Sequence, residues 1–309
     1  MFVGHAMFAF GVVALAATRF GASRERALAL GVAAGLFAAV PDVDMAYALV
    51  GLVAVDPTSP MAVAQSFWGA STVVHRAVTH SLVVAVPAAA AFALAPTHRR
   101  IAAAALAALV GVVAAFSGPL PAVIVGLFAA GGWLVTRAAH AYRVRGTSLF
   151  AVALVGLLSH PFGDLFTGEP PELLYPLDVT VFDGRVALSA DPTVHLLGAF
   201  GVELFAIWLG VAAALWLTGH RFTDHVNSRA AFGAAYALAV LVLPPPTMDT
   251  SYHFVFSVVA VGFVGVVPAP KLRQRSLTLP SLPTAIVTGL AAVTLAALAY
   301  GVAYTTGLA

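Results

Sequence analysis

Long apolar runs broken by short polar clusters dominate the chain. Phe2 to Thr18, Ala27 to Val40, Leu82 to Ala95, Ile101 to Phe116, Leu120 to Val135, Thr147 to Ser159, Val194 to Leu217, Ala230 to Leu243, Tyr252 to Val267 and Thr284 to Tyr304 are nearly free of charge. Runs of this polarity and length read as membrane helices, so the pattern predicts an all-α transmembrane bundle of about ten spans. The third span opens at His75 to Ser81 and ends near Thr97-His98-Arg99-Arg100. Met45 to Val55 is apolar but too short to cross, and reads as a re-entrant or interfacial piece. The longest polar stretch runs from Gly168 to Thr193. In it, Leu177 to Phe182 and Arg185 to Leu188 flank Asp183-Gly184, which predicts a β-hairpin on a type I′ turn. No internal repeat is evident.

Composition agrees with the pattern. Of 309 residues, 61% are hydrophobic and 9% charged, against roughly 25% charged in soluble domains. Mean hydropathy is +0.97. There is no cysteine, which excludes disulfides and thiolate metal sites, so a metal would need imidazole and carboxylate. The first run has no Lys- or Arg-bearing leader, so it reads as part of the bundle rather than a cleaved signal.

Charge distribution then orients the bundle. With the amino terminus outside and ten alternating spans, all basic residues except Arg76 and Arg185 fall on the inner side, thirteen of fifteen, as the positive-inside rule requires. The same parse gathers His5, Asp42, Asp44, His75, His80, His160 and Asp164 at the outer face of a cell membrane.

Those residues carry the candidate chemistry. His75-Arg76-Ala77-Val78-Thr79-His80-Ser81 sets two imidazoles, a guanidinium and two hydroxyls at the mouth of an apolar run. Such a cluster is expensive in a membrane unless something binds it. His160 and Asp164, four apart, share a helix face at about 6 Å and suit one ion, although an HxxxD pair is also an ordinary helix end. Asp42 and Asp44 follow Pro41; one could ligate while the other serves as base, and solvated acids at a helix terminus are the bland reading. His75 and His80 are roughly 140° apart on a helix, so either a helix begins between them or only one ligates, His80 being the better placed. Arg76 suits a phosphate or carboxylate through its forked donors, or else a salt bridge to Asp42, Asp44 or Asp164. His5 would ordinarily be a core histidine, but it lies at the same face. Glu203, within its span, and His195 form a lesser pair that could orient one another.

Taken together, His5, Pro41-Asp42-Val43-Asp44, the His75 to Ser81 stretch, His160-Pro161-Phe162-Gly163-Asp164 and Leu174-Tyr175-Pro176 resemble the YdjM-like family of membrane-embedded, metal-dependent hydrolases, also described as LexA-binding and inner-membrane-associated. The resemblance covers about residues 1–180 as a hydrolase-like membrane domain, with 181–309 as further helices of the same bundle. The motif order is also distantly similar to zinc-dependent phospholipase C. It implies an integral inner-membrane hydrolase in which His5, Asp44, His75, His80, His160 and Asp164 hold a divalent metal, Zn²⁺ or Mn²⁺. Asp42, Asp44 and Arg76 would act in catalysis, and Arg76, Thr79 and Ser81 would bind an anionic substrate. The expected partners are membrane lipid and a small-molecule or lipid substrate; nothing in the sequence indicates nucleic-acid binding. The rival expectation is a metal-ion or proton-coupled transporter, which should place polar residues deep in several spans; mainly Glu203 does so.

Overall fold

In the computed structural model, which describes residues 2–53, 55–271 and 276–308, the chain is helical apart from one short strand pair. It divides into two compact units, Met1–Val186 and Ala187–Ala309.

The first unit contains α1 (Phe2–Arg19), α2 (Arg24–Ala39), α3 (Pro60–Ser71), α4 (Leu82–Leu94), α5 (Arg99–Ser117), α6 (Pro119–Ala141) and α7 (Thr147–Asp164). Local chemistry sets the boundaries. Ser23 caps α2, its hydroxyl accepting the Arg26 N–H at 3.2 Å, and Glu25 sits in the first turn where the helix dipole favours a negative charge. Pro41 ends α2, having no N–H to continue the ladder. The chain then turns by 40° into a 3₁₀ segment, Pro41–Leu52, which is where the sequence suggested a re-entrant piece.

α7 is the hub, packing against α1, α2 and α4. Small residues allow the close approach, as is usual between membrane helices. A Cβ on Gly156 would lie 2.6 Å from the Ala34 carbonyl oxygen, and one on Gly35 2.8 Å from that of Ala6. Phe37, Phe92, Phe128, Leu149 and Leu157 fill the core between these helices.

The second unit contains α8 (Pro192–Thr218), a 3₁₀ segment (Ser228–Leu241), α9 (Ser251–Ala260), a strand pair β1 (Ala269–Lys271) and β2 (Ser276–Thr278), and α10 (Leu282–Thr305). Asp191 caps α8 through the N–H groups of Thr193 and Val194, Pro192 opens it, and Gly219 closes it at φ +76°, each at its favoured position. Phe254, Val258, Ala296 and Tyr300 form the core. Arg273 and Arg275, two of the basic residues assigned to the inner side, lie outside the described residues.

Two expectations are corrected. Among the described residues, five helical stretches rather than ten are long and apolar enough to cross a membrane: α5, α6, α8, Met248–Val266 and α10, with α2 plus Pro41–Leu52 as a sixth if that bent pair counts as one. α1, α4 and Ser228–Leu241 are apolar but shorter, and α7 spends its last turn on His160 and Asp164. The short helices are largely those that border the polar cluster. The second correction is the β-hairpin. Residues 177–188 form bends and coil, because a type I′ turn needs positive φ at both central residues and neither Asp183 nor Gly184 has it. The preceding loop serves instead as a strap across the His75 to Ser81 stretch. Glu172 N–H donates to the Arg76 carbonyl at 2.9 Å, and Leu82 N–H to the Leu173 carbonyl at 2.9 Å.

Candidate metal centre

Four separate pieces of chain deliver the site within the first unit. His5 lies one turn into α1. Asp42 and Asp44 follow the bend after α2, His75 and His80 come just before α4, and the last turn of α7 supplies His160 and Asp164. The helix continues through Pro161, so the four-residue spacing of His160 and Asp164 holds. The stretch before α4 is not helical. It runs as turns from 72 to 76, with Arg76 at φ +69°, into a short 3₁₀ turn at Val78–His80. That break lets His75 and His80 approach one another, ring centroids 5.0 Å apart, where a regular helix would separate them. α4 begins after the motif, at Leu82.

The donor atoms converge. Asp164 Oδ1 lies 3.2 Å from His5 Nε2, and its Oδ2 lies 3.2 Å from His80 Nε2. His160 Nε2 is 3.4 Å from Asp42 Oδ1, 3.7 Å from Asp164 Oδ2 and 3.0 Å from His80 Nε2. His5, His160 and Asp164 each place one ligand atom within 4.8 Å of the others, and so do Asp42, His75 and His80. His5, Asp44, His80, His160 and Asp164 are buried.

The hydrogen bonds on the far side of each ring identify its tautomer. His160 Nδ1 lies 2.6 Å from the Ala38 carbonyl, so it carries a proton, and in the neutral ring Nε2 keeps a lone pair. Thr79 donates its hydroxyl to Asp44 Oδ2 at 2.7 Å. Its oxygen therefore accepts from His80 Nδ1, 2.9 Å away, and His80 Nε2 is left with a lone pair too. Two lone pairs then face each other at 3.0 Å between carboxylate oxygens. Asp42 Oδ2 and Asp164 Oδ2 are buried with no hydrogen bond, although Asp164 Oδ2 has both imidazole nitrogens nearby. Buried acceptors without donors are costly. A proton on one nitrogen would relieve a single contact, whereas a divalent cation would take several of these acceptors as ligands at once. The donor set is imidazole and carboxylate, which suits Zn²⁺ or Mn²⁺.

The remaining candidates are engaged elsewhere. Asp44 accepts from His75 Nδ1 at 3.0 Å through Oδ1 and from Thr79 through Oδ2, which makes it the residue that orients both imidazoles. The Arg76 guanidinium holds the carboxyl end of α7 and the loop beyond. It donates to the carbonyls of Thr167 and Glu169 and the Thr167 hydroxyl, and lies 3.5 Å from Asp164 Oδ1. Ser81 caps α4 and donates to the Tyr175 carbonyl at 2.6 Å. His195 and Glu203 lie on α8 in the second unit, where His195 Nδ1 accepts the Leu188 N–H at 3.1 Å.

Sequence reasoning overlooked the groups that hold these ligands in place. The Ala38 carbonyl is invisible in a residue pattern. Gly163 has a signal only in hindsight: a Cβ there would sit 2.5 Å from His5 Cε1, so only glycine leaves room for the His5 ring.

The family described as YdjM inner membrane protein matches residues 1–245. The match runs well past residue 180 and takes in the first part of the second unit. No curated protein and no solved structure matches, so the similarity to zinc-dependent phospholipase C has no match behind it.

Proposed function

The chain belongs to the YdjM inner membrane protein family, and on that premise we propose that it is an integral membrane metal-dependent hydrolase acting on a lipid or phosphoester at the membrane face. The carrying observation is the pair of opposed Nε2 atoms of His80 and His160, 3.0 Å apart. Asp42 and Asp164 flank them, each with one buried oxygen that lacks a hydrogen bond.

His5, His80, His160 and Asp164 would hold the ion, with Asp42 and His75 alongside. A bound divalent ion supplies Lewis acidity, lowering the pKa of water and polarising the scissile bond. Asp42 Oδ2 is buried with no hydrogen bond, in a residue that is otherwise partly exposed, so we assign it as the base that takes the proton of the attacking water. Asp44 orients rather than reacts, because both its oxygens are engaged. Arg76 fixes Asp164 and the loop after α7. We place the site at the outer face. In the first unit, Arg19, Arg24, Arg26, Arg99, Arg100, Arg137, Arg143 and Arg145 cluster at the helix ends remote from His5, Asp42, His80 and Asp164, and basic ends face the cytoplasm. The Arg26 guanidinium donates to the Arg143 carbonyl at 3.0 Å, joining two of those ends.

The test is hydrolysis of chromogenic phosphodiester, ester and lipid substrates by detergent-solubilised protein. Chelator-sensitive turnover that Asp42→Asn abolishes while metal remains is the expected result. No turnover across the panel, with metal or proton flux into liposomes that the same substitution blocks, would make it a transporter.

A further inference from the structure

A second cluster lies in the first unit where α4 gives way to α5 and α6 ends. Trp133, Thr136, Arg137 and His140 follow the spacing i, i+3, i+4, i+7, so they share one face of the last two turns of α6. Ala95, Pro96 and Arg99 line the other side of a cavity of about 400 Å³ between them.

The chemistry of this cavity is cationic and incomplete. Arg99 and Arg137 are exposed, and among the described residues neither they nor His140 forms an ion pair. The Arg99 guanidinium lies over the Trp133 ring, 6.0 Å from its centroid, which pre-orients it. Thr136 is 2% exposed, and its hydroxyl makes no hydrogen bond, not even to its own helix, the usual recourse of a buried helical threonine. His98, at the head of α5, provides no side-chain cap. The first N–H groups of that helix and the positive end of its dipole are thus left for an anion. Two guanidiniums, an imidazole and an unsatisfied buried hydroxyl around one cavity make a receptor for a multiply accepting anion.

We propose that this cavity binds a phosphate group, presented at the membrane interface by an anionic phospholipid. Basic pockets between membrane helices on the cytoplasmic side suit such headgroups, and Trp133 is of the residue type that settles at the headgroup level. α5 and α6 are both long and apolar enough to cross the bilayer, so an acyl chain could run along them while the phosphate sits between Arg99 and Arg137. Free phosphate has the same donor needs. The site is independent of the proposed hydrolase centre.

Calorimetric titration of the full-length protein in maltoside detergent with dihexanoyl phosphatidylglycerol, dihexanoyl phosphatidylcholine and sodium phosphate separates the cases. Saturable binding of phosphatidylglycerol is expected, with phosphatidylcholine much weaker. Arg99→Gln with Arg137→Gln should weaken it about tenfold or more, since each removes a charge-assisted bond. Thr136→Val should weaken it roughly fivefold without lowering the melting temperature, because an unsatisfied hydroxyl contributes nothing to the free fold. Tighter binding of sodium phosphate than of the lipid, with the same dependence on the variants, would keep the site and make its ligand the free ion. Equal binding of the two lipids, no saturable binding of either anion, or variants that bind as wild type would overturn it.

Discussion

The two ends of the first unit use charge in opposite ways. At the end where α7 finishes, acids and imidazoles are buried and held against one another, and the two hydroxyls among them are each committed to a partner. At the other end most of the arginines are exposed, and among the described residues Arg99 and Arg137 form no ion pair. A buried constellation of acceptors is costly until a cation enters it, whereas exposed guanidiniums are already solvated and cost little to keep. The first end has His and Asp donor atoms positioned to hold an ion. The second, on the proposal above, faces an anionic surface or ligand, with Thr136 buried beside the cavity.

Accessibility offers the sharpest break in that contrast, because its outcome is all or none. The chain has no cysteine, so Asp183→Cys and Tyr142→Cys each give a single thiol, at exposed positions in the loop after α7 and at the end of α6. An impermeant thiol reagent on intact cells should label Cys at 183 and not at 142. The reverse pattern would turn the metal centre to the cytoplasm and put the arginine end outside, against the positive-inside rule.

Next in size is the effect of removing a ligand. His160→Gln keeps a polar group near the Ala38 carbonyl but loses the Nε2 lone pair that faces His80. Purified wild type should carry stoichiometric Zn²⁺ or Mn²⁺ by elemental analysis, and this variant should carry almost none while still melting cooperatively. Wild type that is metal-free and takes none up would remove the centre altogether. Asp44→Asn should have a milder effect. It leaves every inner atom in place but weakens the grip on His75 and on the Thr79–His80 pair, so metal affinity in a chelator competition should fall about 10–100-fold, the usual cost of losing an orienting partner.

The clarity of the sequence differed between the same two regions. The clustering of His and Asp side chains could be read because imidazole and carboxylate are rare in apolar chain, and His160 and Asp164 keep their spacing on a helix. The number of spans could not, because hydropathy registers apolar length and not where a helix stops. α4 begins only at Leu82, and α7 ends in its own ligands. The His75–His80 relation was undecidable from spacing, since it depends on a backbone excursion at Arg76, φ +69°, that no helical template anticipates. The supposed hairpin had the right residues at Asp183-Gly184, but the chain before it was already used in bonding to Arg76 and Leu82. Roles were harder to read than membership. Arg76, Thr79 and Ser81 look like substrate groups in a sequence and turn out to be bonded within the fold.

Ser81 gives the smallest effect and tests that last distinction. Its hydroxyl accepts the N–H groups of Val83 and Val84 at 3.1 and 3.4 Å and donates to the Tyr175 carbonyl at 2.6 Å. It thus caps α4 and ties down the strap in one contact. Ser81→Ala removes the cap, which costs about 1 kcal/mol, and strands the Tyr175 carbonyl, which costs roughly a further 1 kcal/mol if water cannot replace the bond. The melting temperature should fall by a few degrees, with metal content and KM unchanged, because Ser81 touches neither the ligand atoms nor the half-buried face of Asp42. A variant with wild-type melting behaviour and a raised KM would instead make Ser81 a substrate group. It would also mean that the hydroxyl leaves its cap whenever substrate binds.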